Sequence, residues 1–200
     1  PQVQTIRDIL DHNATCIVVK ENELKATFDN LRNQPDLVVT DSQEFQKVSA
    51  DTPKNVQLTS FSILMARHRG DLVTLAAGAK AIEALRPGDK VLIAEGCTHH
   101  RQADDIGKAK IPRWLRQAVG GELDFEWVSG GSFPADIKKY QLIVHCGACM
   151  LNRREMLYRL AVAREQGVPI VNYGVLIAKI HGILQRALEP FPLALREFER

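Results

Sequence analysis

The sequence predicts an α/β protein made of two small parallel-sheet α/β domains, three-layer-like in arrangement and dimerising through the first. Three observations predict it. Short β-branched runs alternate with stretches of helical periodicity, the pattern of strands joined by helical crossovers and therefore paired in parallel. Three strand candidates fall within the first 59 residues, the last ending at Thr59, a thin core that needs outside support. A long helical stretch then leads to four further strand candidates. The expected organisation is a dimerisation domain over residues 1–59 and a second α/β domain over 60–200.

Each element has its own local signal. Residues 16–19, Cys-Ile-Val-Val, read as a buried strand. Asn22 is placed to cap a helix over 23–31, with Leu24, Phe28 and Leu31 on one face. Pro35 and Asp36 turn the chain into a strand at 37–39, a short helix runs over 42–48, and 56–59 is the third strand. Ser60 opens the amphipathic stretch 60–84, which carries Gly70 and Asp71, and these should interrupt or bend it. Arg86-Pro87-Gly88-Asp89 is a stop and turn. Strands follow at 90–94, 123–128, 142–145 and 169–172, separated by helices at 111–118, 153–166 and 174–188. Asn152 and Glu155 have the spacing of a capping box.

Composition narrows the function classes. With 45% hydrophobic and 25% charged residues the chain has the make-up of a globular protein. Its apolar runs of four or five residues are far short of the roughly 20 that a membrane helix needs. The first residues lack a basic start and an apolar segment, so a cytoplasmic location is expected, and Pro1 without a Met suggests a processed chain or an excised fragment. A net charge of +2 lacks the basic excess of a nucleic-acid binder. No nucleophile–base pair stands out, so this chain is not expected to be an enzyme.

The informative feature is where Cys and His fall. Six of the ten lie between 97 and 149, in two groups: Cys97-Thr98-His99-His100 and His145-Cys146-Gly147-Ala148-Cys149. Each group follows a predicted parallel strand, and open α/β sheets bind ligands outside the carboxyl ends of their strands. Gly96, Gly147 and Gly174 at strand ends would keep the backbone clear of that crevice. Cys146 and Cys149 can grip one metal from a single turn, with Cys97 as a third sulfur. Three thiolates with one replaceable position suit a [4Fe–4S] cluster, a Cys3His zinc site has an equally good ligand count, and Cys146/Cys149 could form a redox dithiol. His99 and His145 are both candidates for a fourth ligand.

Cys97-Thr98-His99, followed after 45 residues by His145-Cys146-Gly147-Ala148-Cys149, resembles the Cys-x-His…His-Cys-x-x-Cys signature of the HydF family of [FeFe]-hydrogenase maturation proteins. Residues 36–43 (DLVVTDSQ), 58–64 (LTSFSIL) and 95–101 (EGCTHHR) agree with it, and the similarity spans the chain. The resemblance implies a dimerisation domain followed by a cluster-binding domain, with a [4Fe–4S] cluster on Cys97, Cys146 and Cys149 as metal ligands. It leaves the fourth ligand open, since either histidine, a carboxylate or water would fit, and His99, His145 and Arg101 are the candidates near the cluster. It further implies a homodimeric scaffold that carries a di-iron carbonyl/cyanide precursor to the hydrogenase apo-subunit, alongside radical-SAM maturases. The family's GTPase loop is absent from the sequence, so GTPase activity is expected to belong to an N-terminal domain missing here. The alternative is a zinc-stabilised protein-interaction module.

Other residues have plainer readings. Cys16 reads as a small buried core residue, and His12, His68 and His181 stand apart from the motifs. His100 reads as a surface or supporting residue. Arg101, Lys108, Lys110, Arg113, Arg116, Arg153 and Arg154 form either a solvated face or a cationic funnel around the site. Gly107 and Gly130-Gly131 read as flexible turns, and Trp114 and Trp127 as core.

Overall fold

The computed structural model describes residues 1–96 and 105–200. Among them the class is as predicted: mixed α/β with a parallel sheet in each half. The first half holds α1 (Gln2–Asp11), α2 (Leu24–Asn30), β1 (Leu37–Thr40), α3 (Phe45–Asp51) and β2 (Gln57–Ser60). β1 and β2 pair in parallel, with Val38 opposite Leu58. Helices α4 (Phe61–Arg69), α5 (Leu72–Gly78) and α6 (Ala81–Ala84) lead into the second half. There β3 (Lys90–Glu95), α7 (Ile111–Val119), β4 (Asp124–Ser129), β5 (Leu142–His145), α8 (Arg153–Glu165), β6 (Ile170–Asn172), α9 (Tyr173–Ile180), α10 (Leu184–Leu188) and α11 (Pro192–Glu199) follow in order.

The second sheet is parallel with order β4-β3-β5-β6. Val91–Glu95 of β3 and all residues of β5 and β6 are buried. Successive side chains of a strand point to opposite faces, so burial at every position means both faces of the sheet are covered by helices. The order also sets where a ligand can go. The chain leaves β3 toward β4 on one side, then crosses to β5 on the other and continues to β6. Connections diverge between the carboxyl ends of β3 and β5, and that divergence opens the crevice in which doubly wound sheets bind ligands.

The halves are tied by polar contacts as well as by the core, to which Phe45 and Ile63 both belong. Thr59 Oγ1 donates to the Ala187 carbonyl at 3.0 Å. From α10, Arg186 Nη1 donates to the Ser49 carbonyl at 2.7 Å, and Nη2 to the Thr52 and Pro53 carbonyls at 2.9 Å each. The guanidinium thus satisfies carbonyls left open where α3 ends.

Several expectations are corrected. Residues 16–19 form no strand, so the first sheet has two strands rather than three. Ile17 is 54% and Val18 69% exposed, and Cys16 is half-buried rather than core. β-branched composition favours a strand only where a neighbour pairs with it, and among the described residues β1 and β2 pair only with each other. Asn22 does not cap α2; its side chain accepts from Lys47. The 60–84 stretch is three helices. Gly70 ends the first, and Asp71 caps the second by accepting from the Val73 amide at 3.1 Å. Likewise 174–188 is broken at Gly182, which has φ +70°. Asn152 caps α8, but Glu155 turns to Arg159 instead of closing the capping box. Trp127 is not core: it lies on edge strand β4, 38% exposed, its indole N–H donating to the Gly107 carbonyl at 3.1 Å. Gly107 is no flexible turn but is buried, with a Cβ there falling 2.3 Å from the Tyr173 hydroxyl.

Candidate functional site at the carboxyl ends of β3 and β5

Because β3 and β5 are adjacent and in register (Ala94 opposite His145), the segments that follow them emerge side by side. The Cys146 amide donates to the Ala94 carbonyl at 2.9 Å, extending the ladder by one step. The contact is then reversed through sulfur. The Gly96 amide donates to Cys146 Sγ at 3.0 Å, and the Ala148 amide reaches the same sulfur at 3.5 Å. Gly96 directly precedes Cys97 in the sequence. A Cβ at Gly96 would lie 2.8 Å from Leu151 Cγ, so a glycine is what lets the two segments close on each other. Gly147 has a different status: a Cβ there meets no described atom within 4 Å.

The expectations on Cys97, His99, His100 and Arg101 lie outside the described residues. Cys146 is half-buried and Cys149 exposed, and Cys149 sits in a turn closed by the Leu151 amide donating to the Ala148 carbonyl at 3.1 Å. Ala148 between them is buried yet has φ +54°, a left-handed conformation unfavourable by roughly 1–2 kcal/mol for a residue with a Cβ. Such a conformation persists only where its surroundings impose it, and it recurs at functional turns. Beside Cys146, Gly147 and Ala148 lies a small cavity of about 10 Å³, bordered also by Met65, Arg69, Leu75 and Met156.

His145 is fully buried. Arg159 Nη1 lies 3.1 Å from its Nε2, and its Nδ1 lies 2.8 Å from the Cys146 carbonyl. Burial, opposed in part by the bond to that carbonyl and reinforced by the Arg159 charge, lowers its pKa to about 4. On the other side of the crevice Glu95, the last residue of β3, is buried and accepts from the Tyr173 hydroxyl at 3.4 Å. Burial and the Glu95 carboxylate push the Tyr173 pKa up, so the phenol keeps its proton. Asp105 Oδ1 accepts from the Gly107 and Lys108 amides at 2.9 and 3.0 Å, fixing the chain as it re-enters toward α7.

Of the basic residues read as a possible funnel, three are engaged. Lys108 lies over the Trp127 ring, Lys110 donates to Gln43 Oε1, and Arg116 pairs with Glu122. Arg113, Arg153 and Arg154 are exposed, the last two at the start of α8 just past Cys149. His12 contacts the Asp8 carbonyl, and His181 contacts Gln46 and the edge of Trp114, consistent with local structural roles.

Among the described residues no three His, Cys, Asp or Glu side chains form a metal-holding group. Cys146 and Cys149 supply two sulfurs, soft donors of the kind that suit a soft metal or an iron–sulfur cluster. Sequence reasoning missed Arg159 and Glu95. An Arg four residues after a Glu on a helix reads as an exposed ion pair, and nothing local marks it as buried. No helix among the described residues is long and apolar enough to cross a membrane.

A family model described as the hydrogen maturase F dimerization domain matches residues 1–70, and one described as the hydrogen maturase F tetramerization domain matches residues 73–190. No curated protein matches the chain.

Proposed function

The chain belongs to the hydrogen maturase F family, whose domains imply a role in hydrogenase maturation, and from that membership we propose that it is an iron–sulfur scaffold. Cys97, Cys146 and Cys149 would hold a [4Fe–4S] cluster. The chain would carry a di-iron carbonyl/cyanide precursor as cargo, receive it with the help of radical-SAM maturases and pass it to the hydrogenase apo-subunit in the cytoplasm. It acts by holding and handing over rather than by catalysis. The observation that carries the reading is the Gly96 amide on Cys146 Sγ: the residue before the first motif touches the first sulfur of the second, at the crevice the topology creates. When bound, such a cluster supplies one iron position open to exchange, which a carrier needs. Exposed Arg153 and Arg154 beside the turn support attraction of an anionic cargo.

The test is composition. Anaerobically reconstituted protein is expected to be brown, with about four iron and four sulfide per chain. One tightly held zinc in colourless protein supports the interaction-module alternative instead, and sinks the cluster reading.

Self-association is the property both matched domains are named for. We propose that the first domain forms a homodimer. No residue from 1 to 39 is buried in the single chain, and Ile17, Val18 and Leu37 are exposed there. A segment with its apolar residues this open gains little core from its own chain, and a second copy can supply it. Ile17→Asp/Val18→Asp is expected to shift the sedimentation of the protein from dimer to monomer at micromolar concentration; an unchanged dimer places the interface elsewhere.

A further inference from the structure

Among the described residues Arg159 is the largest fully buried side chain. It serves three acceptors from three parts of the fold. Nε donates to Glu155 Oε1 at 2.8 Å, one turn earlier on α8. Nη2 donates to the Gly130 carbonyl at 2.8 Å, just beyond β4. Nη1 points at His145 Nε2 at 3.1 Å, and the guanidinium lies over the Phe133 ring, 5.1 Å from its centre. A charge buried this deeply costs several kcal/mol unless every donor is well placed. Its retention in a chain of this size calls for something it does.

Guanidinium has N–H donors and no acceptor, and it keeps its proton at any ordinary pH. His145 Nε2 must therefore accept. The imidazole proton is then on Nδ1, and Nδ1–H donates to the Cys146 carbonyl, 2.8 Å away. Arg159 thus selects one tautomer of His145, and that tautomer grips the peptide at the start of the Cys146–Cys149 turn. We propose that Arg159 is a positioning residue for this turn, acting through His145, and that His145 is its intermediary rather than a metal ligand. Both ring nitrogens are committed in this arrangement. The consequence for cluster retention rests on the scaffold reading above; the grip on the turn does not. Partners that orient metal-ligating segments in this way commonly change metal retention by about 10–100-fold when removed.

Two amides can stand in for the two ring nitrogens. In His145→Asn the amide N–H falls near Nδ1 and can still donate to the Cys146 carbonyl. In His145→Gln it falls near Nε2 and cannot. The metal-free chain, labelled with ¹⁵N at histidine, is expected to show His145 as the Nδ1–H tautomer. Amide exchange at Gly96 and Ala148, the two donors to Cys146 Sγ, should be roughly tenfold faster in His145→Gln and Arg159→Met than in the parent, the effect of one hydrogen bond lost from the local opening equilibrium, and within about twofold of it in His145→Asn. Arg159→Lys, a single point of charge in place of a fork, should fall between. In protein reconstituted with iron and sulfide, loss of iron to a ferrous chelator should follow the same order. Should Arg159→Met fail to fold, the Asn–Gln pair still decides, since a merely structural role for Arg159 would not separate them. An Nε2–H tautomer, or equal behaviour of the Asn and Gln variants, overturns the proposal. So does a ring nitrogen of His145 coupled to iron in the loaded parent protein. A parent chain that takes up no iron overturns the scaffold reading, and the tautomer and exchange measurements then stand alone in deciding the grip.

Discussion

Cys146→Ser should empty the site. Reconstituted with iron and sulfide, the variant is expected to hold less than about a quarter of the parent's iron and to lose its brown colour. The reason is chemical and geometric. Iron–sulfur clusters are held by thiolates, and at neutral pH a serine hydroxyl is a neutral, hard donor. Cys146 is also the sulfur on which the two motif segments meet, since it accepts from the Gly96 and Ala148 amides at 3.0 and 3.5 Å. The shorter C–O bond of serine draws the acceptor back from both, so on the scaffold reading the variant gives up a ligand and this seam together. Cys149→Ser should cost as much iron while leaving the Gly96 contact intact, which a smaller change in Gly96 amide exchange would report. Cys16→Ser is the control: half-buried in the first domain and in neither motif, it should change neither iron nor colour. Full iron in both Cys146→Ser and Cys149→Ser removes the scaffold reading at its base.

How far the sequence reaches can be judged from particular segments. Strands β3 and β5 were legible because they are short apolar runs bounded by turn signals, and buried parallel strands leave that mark. Adjacency of β3 and β5 was not legible, because β4 lies between them in sequence and pairing order is decided by the crossovers. Yet that adjacency is what brings Gly96 to Cys146. Residues 16–19 mislead for the opposite reason: their composition is that of a strand, but a strand needs a partner, and among the described residues the single chain provides none. Helices α1 and α11 went unread although each carries a signal. Val3, Ile6 and Leu10 share one face of the first, and Pro192 stands at the first turn of the second. At the site, the thiols announce themselves by spacing. Arg159 does not, because its i,i+4 partner Glu155 gives it the signature of a solvated pair, and only the tertiary packing of α8 reveals that it is buried.

The same distinction between local and tertiary information gives the largest expected effect on stability, at Gly78. Read locally, Gly78→Ala in a helix should stabilise by up to about 1 kcal/mol, since alanine is the better helix former. The packing reverses the sign. Gly78 ends α5 against β6, and a Cβ there would sit 2.0 Å from the Ile170 carbonyl oxygen and 2.7 Å from its carbon. Those are backbone atoms of a strand buried at every position, so no side chain can rotate away; helix or strand must move. Displacing β6 also disturbs its pairing with β5, where Val144 lies opposite Val171 and His145 opposite Asn172. The strain reaches the element that carries the site. Overpacking of this kind costs about 1–3 kcal/mol and more where backbone meets backbone. A net loss of about 3 kcal/mol is expected, or roughly 6–12 °C in thermal midpoint for a domain of this size. Gly147→Ala, where the added methyl meets no described atom within 4 Å, should stay within about 0.5 kcal/mol of the parent. Thermal melts of the two variants beside the parent make the comparison. Equal stability of the Gly78 and Gly147 variants would mean that α5 and β6 do not approach each other as closely as this packing requires.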